Sequence, residues 1–174
     1  MSGLEECVKL LLTRRSIRKF KDEKVPLELV KEILDVARFA PSARNSQPWE
    51  FVVVTDPEIK EELAKIHPWA APLRRAPIGI IVVCDKGKSP TSYQLDCANV
   101  TLYIMLAARA CGLGTVWIQA LRNQDDIKRI VGIPEEKDPI AILAMGWPAE
   151  EPEAKARRSL EELVHLNKYI STEG

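Results

Sequence analysis

The sequence carries no excess of charge, because 25 lysine and arginine residues balance 25 aspartate and glutamate residues. A basic surface for nucleic acid, or a charged surface for an anionic membrane, is therefore not indicated. No apolar run approaches the roughly 18 residues that a membrane-spanning helix needs. The first residues also show no signal-peptide pattern. We therefore expect a cytoplasmic protein with neither nucleic acid nor membrane as a partner.

Motifs for metal binding, nucleotide binding and nucleophilic catalysis are also missing. The four cysteines are Cys7, Cys84, Cys97 and Cys111. They form no Cys-x-x-Cys pair, so neither a zinc site nor a redox dithiol is indicated, and their apolar neighbours favour buried reduced thiols. Neither His67 nor His165 has the spacing of a metal ligand or the setting of a general base. The chain has no Walker loop, no Gly-x-Gly-x-x-Gly loop and no nucleophile elbow.

The chain has a length suited to one domain, which we place at residues 1–174. Its hydrophobic content of 46% and charged content of 29% are typical of a soluble globular protein. Apolar periodicity predicts alternating helices and strands, and Ser2 and Asp56 are the predicted N-caps of two helices. Helices are predicted to begin near residues 2, 26, 57, 92, 125 and 159, and strands to cover 50–55, 78–84, 114–119 and 140–145.

One predicted helix, from Ser92 to Cys111, is apolar around nearly its whole surface. Leu95, Leu102 and Met105 lie on one face, and further apolar residues cover much of the rest. A helix without a polar face is buried on all sides. In a chain of this size, such a helix is either central or packed against a second subunit.

Two polar stretches are candidates for ligand binding. The first runs from Arg14 to Lys21, where the forked N–H donors of the arginines and a serine hydroxyl suit a phosphate group. The alternative interpretation is a solvated basic loop. The second lies between Pro41 and Pro48 and holds short uncharged side chains that both donate and accept hydrogen bonds. Such a segment would recognise the edge of a flat neutral heteroaromatic ring, and an ordinary polar helix-to-strand loop is the alternative.

Together these stretches resemble the FMN-dependent nitroreductase-like family. Four blocks match in the correct order, at residues 14–20, 40–49, 107–117 and 146–148, with residues 157–162 following the last. The resemblance implies an α+β fold in which helices flank a central, mostly antiparallel sheet. It also implies an intertwined homodimer that binds FMN at its interface.

The resemblance further implies which residues bind the cofactor. Arg14 and Ser16, with Arg15 beside them, would hold the phosphate, and either Arg157 or Arg158 would complete that site. The remaining positions concern the flavin ring. Arg18 would reach the pyrimidine edge of the ring. The other subunit would supply Pro41, Ser42 and Asn45, and Gln47 would either reach the ring or brace that loop. Gln119 and Ala120 would present backbone amides near the reactive nitrogen of the flavin.

The activity implied is the transfer of a hydride from NADH or NADPH, through FMN, to a small aromatic acceptor such as a nitroaromatic or a quinone. Arg18 would stabilise the negative charge that grows during flavin reduction. A shared pocket for both substrates would give ping-pong kinetics. Benzimidazole synthesis, reductive dehalogenation and flavin storage or sensing without turnover remain alternatives. The chain has Trp69-Ala70-Ala71-Pro72 where many members carry an asparagine and a basic residue over the ring, so the substrate contacts stay open.

Overall fold

Helices and strands alternate along residues 3–170, the part of the chain that this computed structural model describes. The helices are α1 (Gly3–Thr13), α2 (Leu27–Ala37), α3 (Pro57–Ala64), α4 (Tyr93–Ala110) and α5 (Gln124–Val131). The strands are β1 (Trp49–Val54), β2 (Ile78–Asp85), β3 (Gly114–Gln119) and β4 (Lys137–Gly146). Short 3-10 helices cover Ala43–Asn45 and Pro68–Arg74. The four predicted strands are confirmed, and the predicted cap Ser2 lies outside the described residues.

The sheet has the order β1-β2-β4-β3, and every neighbouring pair is antiparallel. Strand β1 therefore lies at one edge, where its outer side has no strand partner within residues 3–170. Helices α2 and α4 cover one face of the sheet, and α3 and α5 cover the other, so the sheet separates two apolar cores. The predicted α+β architecture, a central antiparallel sheet flanked by helices, is confirmed.

The predicted N-cap Asp56 and two glycines fix where several helices begin and end. The Asp56 carboxylate accepts hydrogen bonds from the N–H groups of Glu58 and Ile59, at 2.8 and 3.3 Å, and so begins α3. Gly112, with a φ of 80°, follows the last turn of α4, and Gly132, with a φ of 73°, ends α5. Both glycines occupy the left-handed region that side chains with a Cβ rarely adopt.

Helix α4 is only partly buried by its own chain. Cys97, Val100 and Ile104 face the core, whereas Leu95 and Leu102 are exposed. Helix α1 has no buried residue at all. A single chain thus leaves two apolar helix surfaces uncovered, and the prediction that α4 is buried on all sides is not met within one subunit.

The prediction of four buried reduced thiols is wrong. Cys84 and Cys97 form a disulfide with a Cα–Cα distance of 6.3 Å, and Cys7 and Cys111 are exposed. Cys84 lies near the end of β2 and Cys97 near the start of α4, on the sheet face that α4 covers. The sequence spacing concealed this proximity, because it arises only when α4 packs on β2.

The predicted helix near residues 159–164 is also wrong, because residues 161–163 form only a turn. Arg158 instead donates hydrogen bonds to the side chain and the carbonyl of Glu162, at 3.0 and 3.2 Å. Residues 149–170 are almost entirely exposed and irregular. A helix this short needs a surface to pack against, and the chain offers none here.

A buried charge cluster ties α5 to β4. Lys128 and Asp138 are each 7% exposed, and the Lys128 Nζ lies 3.2 Å from the Asp138 Oδ1. Lys86 donates to the same oxygen at 3.1 Å, and the Tyr93 hydroxyl donates to the Asp138 Oδ2 at 3.3 Å. Burial raises the pKa of Asp138, but the hydrogen bonds and positive charges of Lys86 and Lys128 together outweigh it and leave this pKa below its ordinary value. Burial likewise lowers the pKa of Lys128, and the hydrogen bonds and negative charges of Asp138 and Glu135 together reverse this into a raised pKa.

Candidate functional site

The segment from Arg14 to Arg18 adds to the outer edge of β3. Ser16 forms a parallel bridge with Thr115, and the Ile17 N–H donates to the Thr115 carbonyl at 2.9 Å. Residues of this segment line two clefts that share no lining residue. We call them the Arg14 cleft and the Trp69 cleft, and the bridge fixes the segment that contributes to both.

The Arg14 cleft has a volume of about 950 Å³ and lies between the end of α1, the C-terminal half of α4 and residues 148–154. The Arg14 guanidinium has no hydrogen bond or ion pair within residues 3–170. Arg15, in contrast, donates to the Leu12 and Arg14 carbonyls, at 2.7 and 2.9 Å, and so closes the end of α1. Of these two predicted phosphate ligands, Arg14 has its whole guanidinium free within residues 3–170, whereas Arg15 has one guanidinium nitrogen occupied.

Acidic side chains also line this cleft. Glu151 and Glu153 come from the irregular tail, and Glu150 accepts hydrogen bonds from the backbone N–H groups of Arg18 and Lys19. Two cations missed by the sequence analysis, Lys9 and Arg109, lie in the lining as well. Arg109 falls within the third matching block, so its position there was the available signal.

The Trp69 cleft has a volume of about 510 Å³ and contains Arg18 and Gln119, two of the predicted flavin-ring residues. Ala120 follows them at the end of β3 and is fully buried. The His67 Nε2 donates to the Gln119 carbonyl at 3.1 Å, and its Nδ1 is buried without a partner within residues 3–170. The sequence analysis set His67 aside, and the structure places it as a brace at the base of this cleft.

A glycine permits the close approach that forms the Ser16 bridge. A Cβ built on Gly114 would lie 2.7 Å from the Ile17 Cβ, closer than real Cβ atoms approach. We therefore expect Gly114→Ala to push the 14–18 segment off β3 and to cost about 1–3 kcal/mol of unfolding free energy. Urea unfolding measures this loss. Gly3→Ala is the control, because its Cβ would meet nothing within 4 Å, and an equal loss in both variants would contradict the steric explanation.

Hydrogen bonds within the polar loop between Pro41 and Pro48 stabilise its conformation. The Gln47 N–H donates to the Ser42 Oγ at 3.0 Å, and the Gln47 Nε2 donates to the Asn45 carbonyl at 3.1 Å. Arg44, Asn45 and Gln47 all have a positive φ, between 45 and 55°. Of the two predicted roles for Gln47, the structure displays the bracing of the loop.

Asp96, in the first turn of α4, holds this loop in place and was missed from the sequence. Its carboxylate is only 3% exposed and accepts from the Ala43 N–H at 2.9 Å and the Ser89 hydroxyl at 2.7 Å. The Asn99 Nδ2 adds a hydrogen bond to the Pro41 carbonyl at 3.2 Å. The signal available in the sequence was a carboxylate on the apolar surface of α4.

One chain does not bring this loop to the Arg14 cleft. The loop contacts Asp96 at the start of α4, whereas Arg109 lines the cleft near the end of the same helix. At 1.5 Å per residue, these two positions are roughly 20 Å apart along the helix axis. The sequence-predicted residues therefore form two groups, with the 14–18 segment and Gln119 in one and the 41–47 loop in the other.

The sequence pattern of the Nitroreductase family matches residues 11–77 and 67–147. The chain belongs to the Nitroreductase family. A Methanothermobacter thermautotrophicus protein named "Putative NADH dehydrogenase/NAD(P)H nitroreductase" is 39% identical over 171 residues, which cover 94% of this chain and 88% of that protein. The family resemblance predicted from the four blocks is confirmed.

Solved structures agree with this assignment to the nitroreductases. A protein of the same name from Parabacteroides distasonis superposes with a TM-score of 0.90 at 28% identity, covering 94% of this chain and 99% of the other. A Clostridium difficile protein described as an FMN-dependent nitroreductase gives a TM-score of 0.84 at 32% identity, covering 93% and 99%. The nitroreductase-like fold is confirmed.

The predicted phosphate residues in the tail of this family member lie apart from Arg14, outside the lining of its cleft. Arg157 donates to the Lys155 and Ala156 carbonyls, at 3.0 and 3.3 Å, and Arg158 is paired with Glu162. Both arginines are exposed. Within residues 3–170, no group of three metal-ligating side chains occurs and no helix is long and apolar enough to cross a membrane.

Proposed function

We propose that this chain is an FMN-dependent oxidoreductase that takes a hydride from NADH or NADPH and passes it to a nitroaromatic, quinone or related acceptor. The observation that carries the proposal is the 14–18 segment. It holds Arg14, which has no side-chain partner within residues 3–170, at one cleft and Arg18 at the other. The names of the relatives support the same activity, since they describe NAD(P)H nitroreductases and an FMN-dependent nitroreductase.

The residues at this edge of β3 fit the chemistry of FMN. Arg14 offers a free guanidinium and Ser16 a hydroxyl, which suit a phosphate group. One of the three tail carboxylates in the lining, Glu150, is already occupied by two backbone N–H groups. Arg18 would face the pyrimidine edge of the ring and stabilise negative charge there, and the backbone of Gln119 and Ala120 would orient the ring. When bound, FMN supplies the hydride-transfer chemistry.

We further propose a homodimer in which the 41–47 loop of one subunit completes the site of the other. A single chain keeps that loop roughly 20 Å from the Arg14 cleft. It also leaves the apolar surfaces of α1 and α4 exposed. Obligate interfaces bury upwards of about 2,000 Å² in total, which these two helices could supply. Light scattering should show a dimer, and a folded FMN-loaded monomer at micromolar concentration would contradict this.

The proposed function is tested on the purified protein. We expect a yellow protein that releases FMN rather than FAD on denaturation, because the chain has one phosphate site and no dinucleotide loop. It should oxidise NADH or NADPH when a quinone or nitroaromatic is present. Binding of FMN without turnover would indicate the storage or sensor alternative. A colourless protein that does not take up added FMN would exclude the proposal. Product analysis with oxygen or with a halogenated phenol separates the benzimidazole synthase and dehalogenase alternatives.

We expect ping-pong kinetics, because reductant and acceptor would use the same exposed face of the ring in turn. Varying NADH at several fixed quinone concentrations should give parallel double-reciprocal lines. Intersecting lines, together with a ternary complex detected at equilibrium, would show that the two substrates have separate pockets.

A further inference from the structure

The Trp69 cleft combines aromatic and cationic side chains. Within residues 3–170, its lining contains the indoles of Trp69 and Trp117 and the guanidiniums of Arg18 and Arg122, but no aspartate or glutamate. Trp69 is 81% exposed, and within residues 3–170 neither indole has a ring or cation partner. Arg122 likewise has no hydrogen bond or ion pair in the described part of the chain. An exposed indole next to an unpaired guanidinium is typical of a surface that receives a ligand.

Hydrogen bonds at the base hold the two walls of this cleft together. Trp69 lies in the 3-10 helix that follows His67, and Arg122 lies in the turn after β3. The His67 Nε2 donates to the Gln119 carbonyl at 3.1 Å, and the Asn123 Nδ2 donates to the Ile66 carbonyl at 3.3 Å. Both bonds join the 66–69 wall to the 119–123 wall. The backbones that carry Trp69 and Arg122 are therefore fixed relative to each other, although both side chains are free.

We propose that the Trp69 cleft selects aromatic ligands that carry an acidic group. Trp69 stacks on the ring of the ligand, and Arg122 pairs with its anionic substituent. No carboxylate in the described lining opposes an anion, and the Arg122 guanidinium, which stays available when Arg18 faces the flavin, attracts it from the surrounding solvent. The inference rests on the proposed function, because the ligand would be a substrate of the same redox site. The anionic group would belong either to the acceptor or to the pyrophosphate of NADH, and the experiment separates these sources.

The first arm compares two acceptors of similar shape, 4-nitrobenzoate and the neutral 4-nitrobenzamide. Arg122→Gln should lower kcat/KM about fivefold for 4-nitrobenzoate, the size of an exposed ion pair worth about 1 kcal/mol, and should hardly change it for 4-nitrobenzamide. Trp69→Ala should lower it for both. Arg129→Gln is the matched control, because Arg129 is also exposed but pairs with Asp126 at 2.6 Å on α5. Ratios of variant to wild type cancel the different intrinsic reactivities of the two acceptors.

The second arm measures flavin reduction by NADH in single-turnover experiments. An effect of Arg122→Gln confined to this arm supports the proposal and identifies the pyrophosphate as the anion. A third arm follows tryptophan fluorescence quenching by the two nitro compounds in FMN-free protein, so that binding is observed without turnover. Stronger quenching by 4-nitrobenzoate, weakened in Arg122→Gln, is the expected result.

Two results would overturn the proposal. One is an Arg122→Gln variant that matches Arg129→Gln in all three arms. The other is a Trp69→Ala variant that binds both nitro compounds normally but dissociates into monomers, which would show that a second subunit covers the indole. Neither result contradicts the proposed function, provided that the protein still reduces 4-nitrobenzamide or a quinone. Loss of turnover with every acceptor in the wild type contradicts the proposed function, and the fluorescence arm still decides the selectivity of the cleft.

Discussion

Arg14→Ala is expected to weaken FMN binding by roughly 10- to 100-fold while changing riboflavin binding much less. A hydrogen bond to a charged group contributes about 1.5–3 kcal/mol, and about 1.4 kcal/mol corresponds to a factor of ten in affinity. Arg14 is the predicted phosphate ligand whose guanidinium has no partner within residues 3–170, so its charge is available. Riboflavin lacks the phosphate, so its binding affinity should change much less in Arg14→Ala.

Titration of the apoprotein with FMN and with riboflavin at fixed salt measures this contrast. Arg129→Ala is the control, because Arg129 is exposed on α5, pairs with Asp126 and lines neither cleft. Arg158→Ala should weaken FMN binding less than Arg14→Ala, since Arg158 is already paired with Glu162. Equal losses for both flavins in Arg14→Ala would show that the phosphate binds elsewhere or that the fold has been damaged.

Asp138→Asn should lower the free energy of unfolding by about 3 kcal/mol. Removing one partner of a buried ion pair typically costs 3–5 kcal/mol, because the other charge stays buried without compensation. Lys128 would keep a hydrogen bond to the Glu135 carbonyl at 3.0 Å, which places the expected loss near the lower end of that range. Urea unfolding at neutral pH measures it. Glu28→Gln is the control, since its pair with Lys31 is exposed and should contribute less than about 1 kcal/mol.

The same substitution predicts a change in the pH dependence of stability. The pKa of Asp138 in the folded protein lies below its ordinary value, so the unfolded chain binds this proton more readily. The stabilisation is present above the ordinary carboxyl pKa and is lost as the pH falls through the lower folded pKa. The free energy of unfolding of the wild type should therefore lose the Asp138 contribution on acidification. The difference in this free energy between the wild type and Asp138→Asn should shrink as the pH falls. A constant difference down to strongly acidic pH would assign the loss to packing instead.

Local signals were sufficient to predict most of the helices and strands. Asp56, Gly112 and Gly132 determine helix ends through contacts and backbone conformations that involve only a few residues. The four strands are recognisable from the composition of their apolar runs. The cluster from Arg14 to Arg18 was also recognisable from the sequence, because arginines and a serine within five residues are rare outside anion sites or solvated loops. Its attachment to β3 was not predictable, since that depends on the absence of a Cβ at Gly114.

The features that the sequence concealed are contacts between distant residues. Asp96 supports a loop that precedes it by some fifty positions, and Lys128 reaches Asp138 only once α5 packs on β4. Cys84 and Cys97 are separated by 13 positions, but each alone resembles an ordinary apolar thiol. His67 became a brace only because β3 ends beside it. Periodicity describes which face of an element is apolar, and it does not say which polar atom on another element will meet it.

The edge position of β1 has a consequence for the solution behaviour of the protein. Its sequence, Trp-Glu-Phe-Val-Val-Val, has one charge among β-forming residues, and its outer backbone groups have no strand partner within residues 3–170. Such an edge is a template on which strands of other molecules can assemble into aggregates. Refolding yield should therefore depend on how dilute the protein is kept. Glu50, the one charged residue of β1, pairs with Lys137 at 2.6 Å, and this charged pair is the feature of the strand that opposes fibrous assembly.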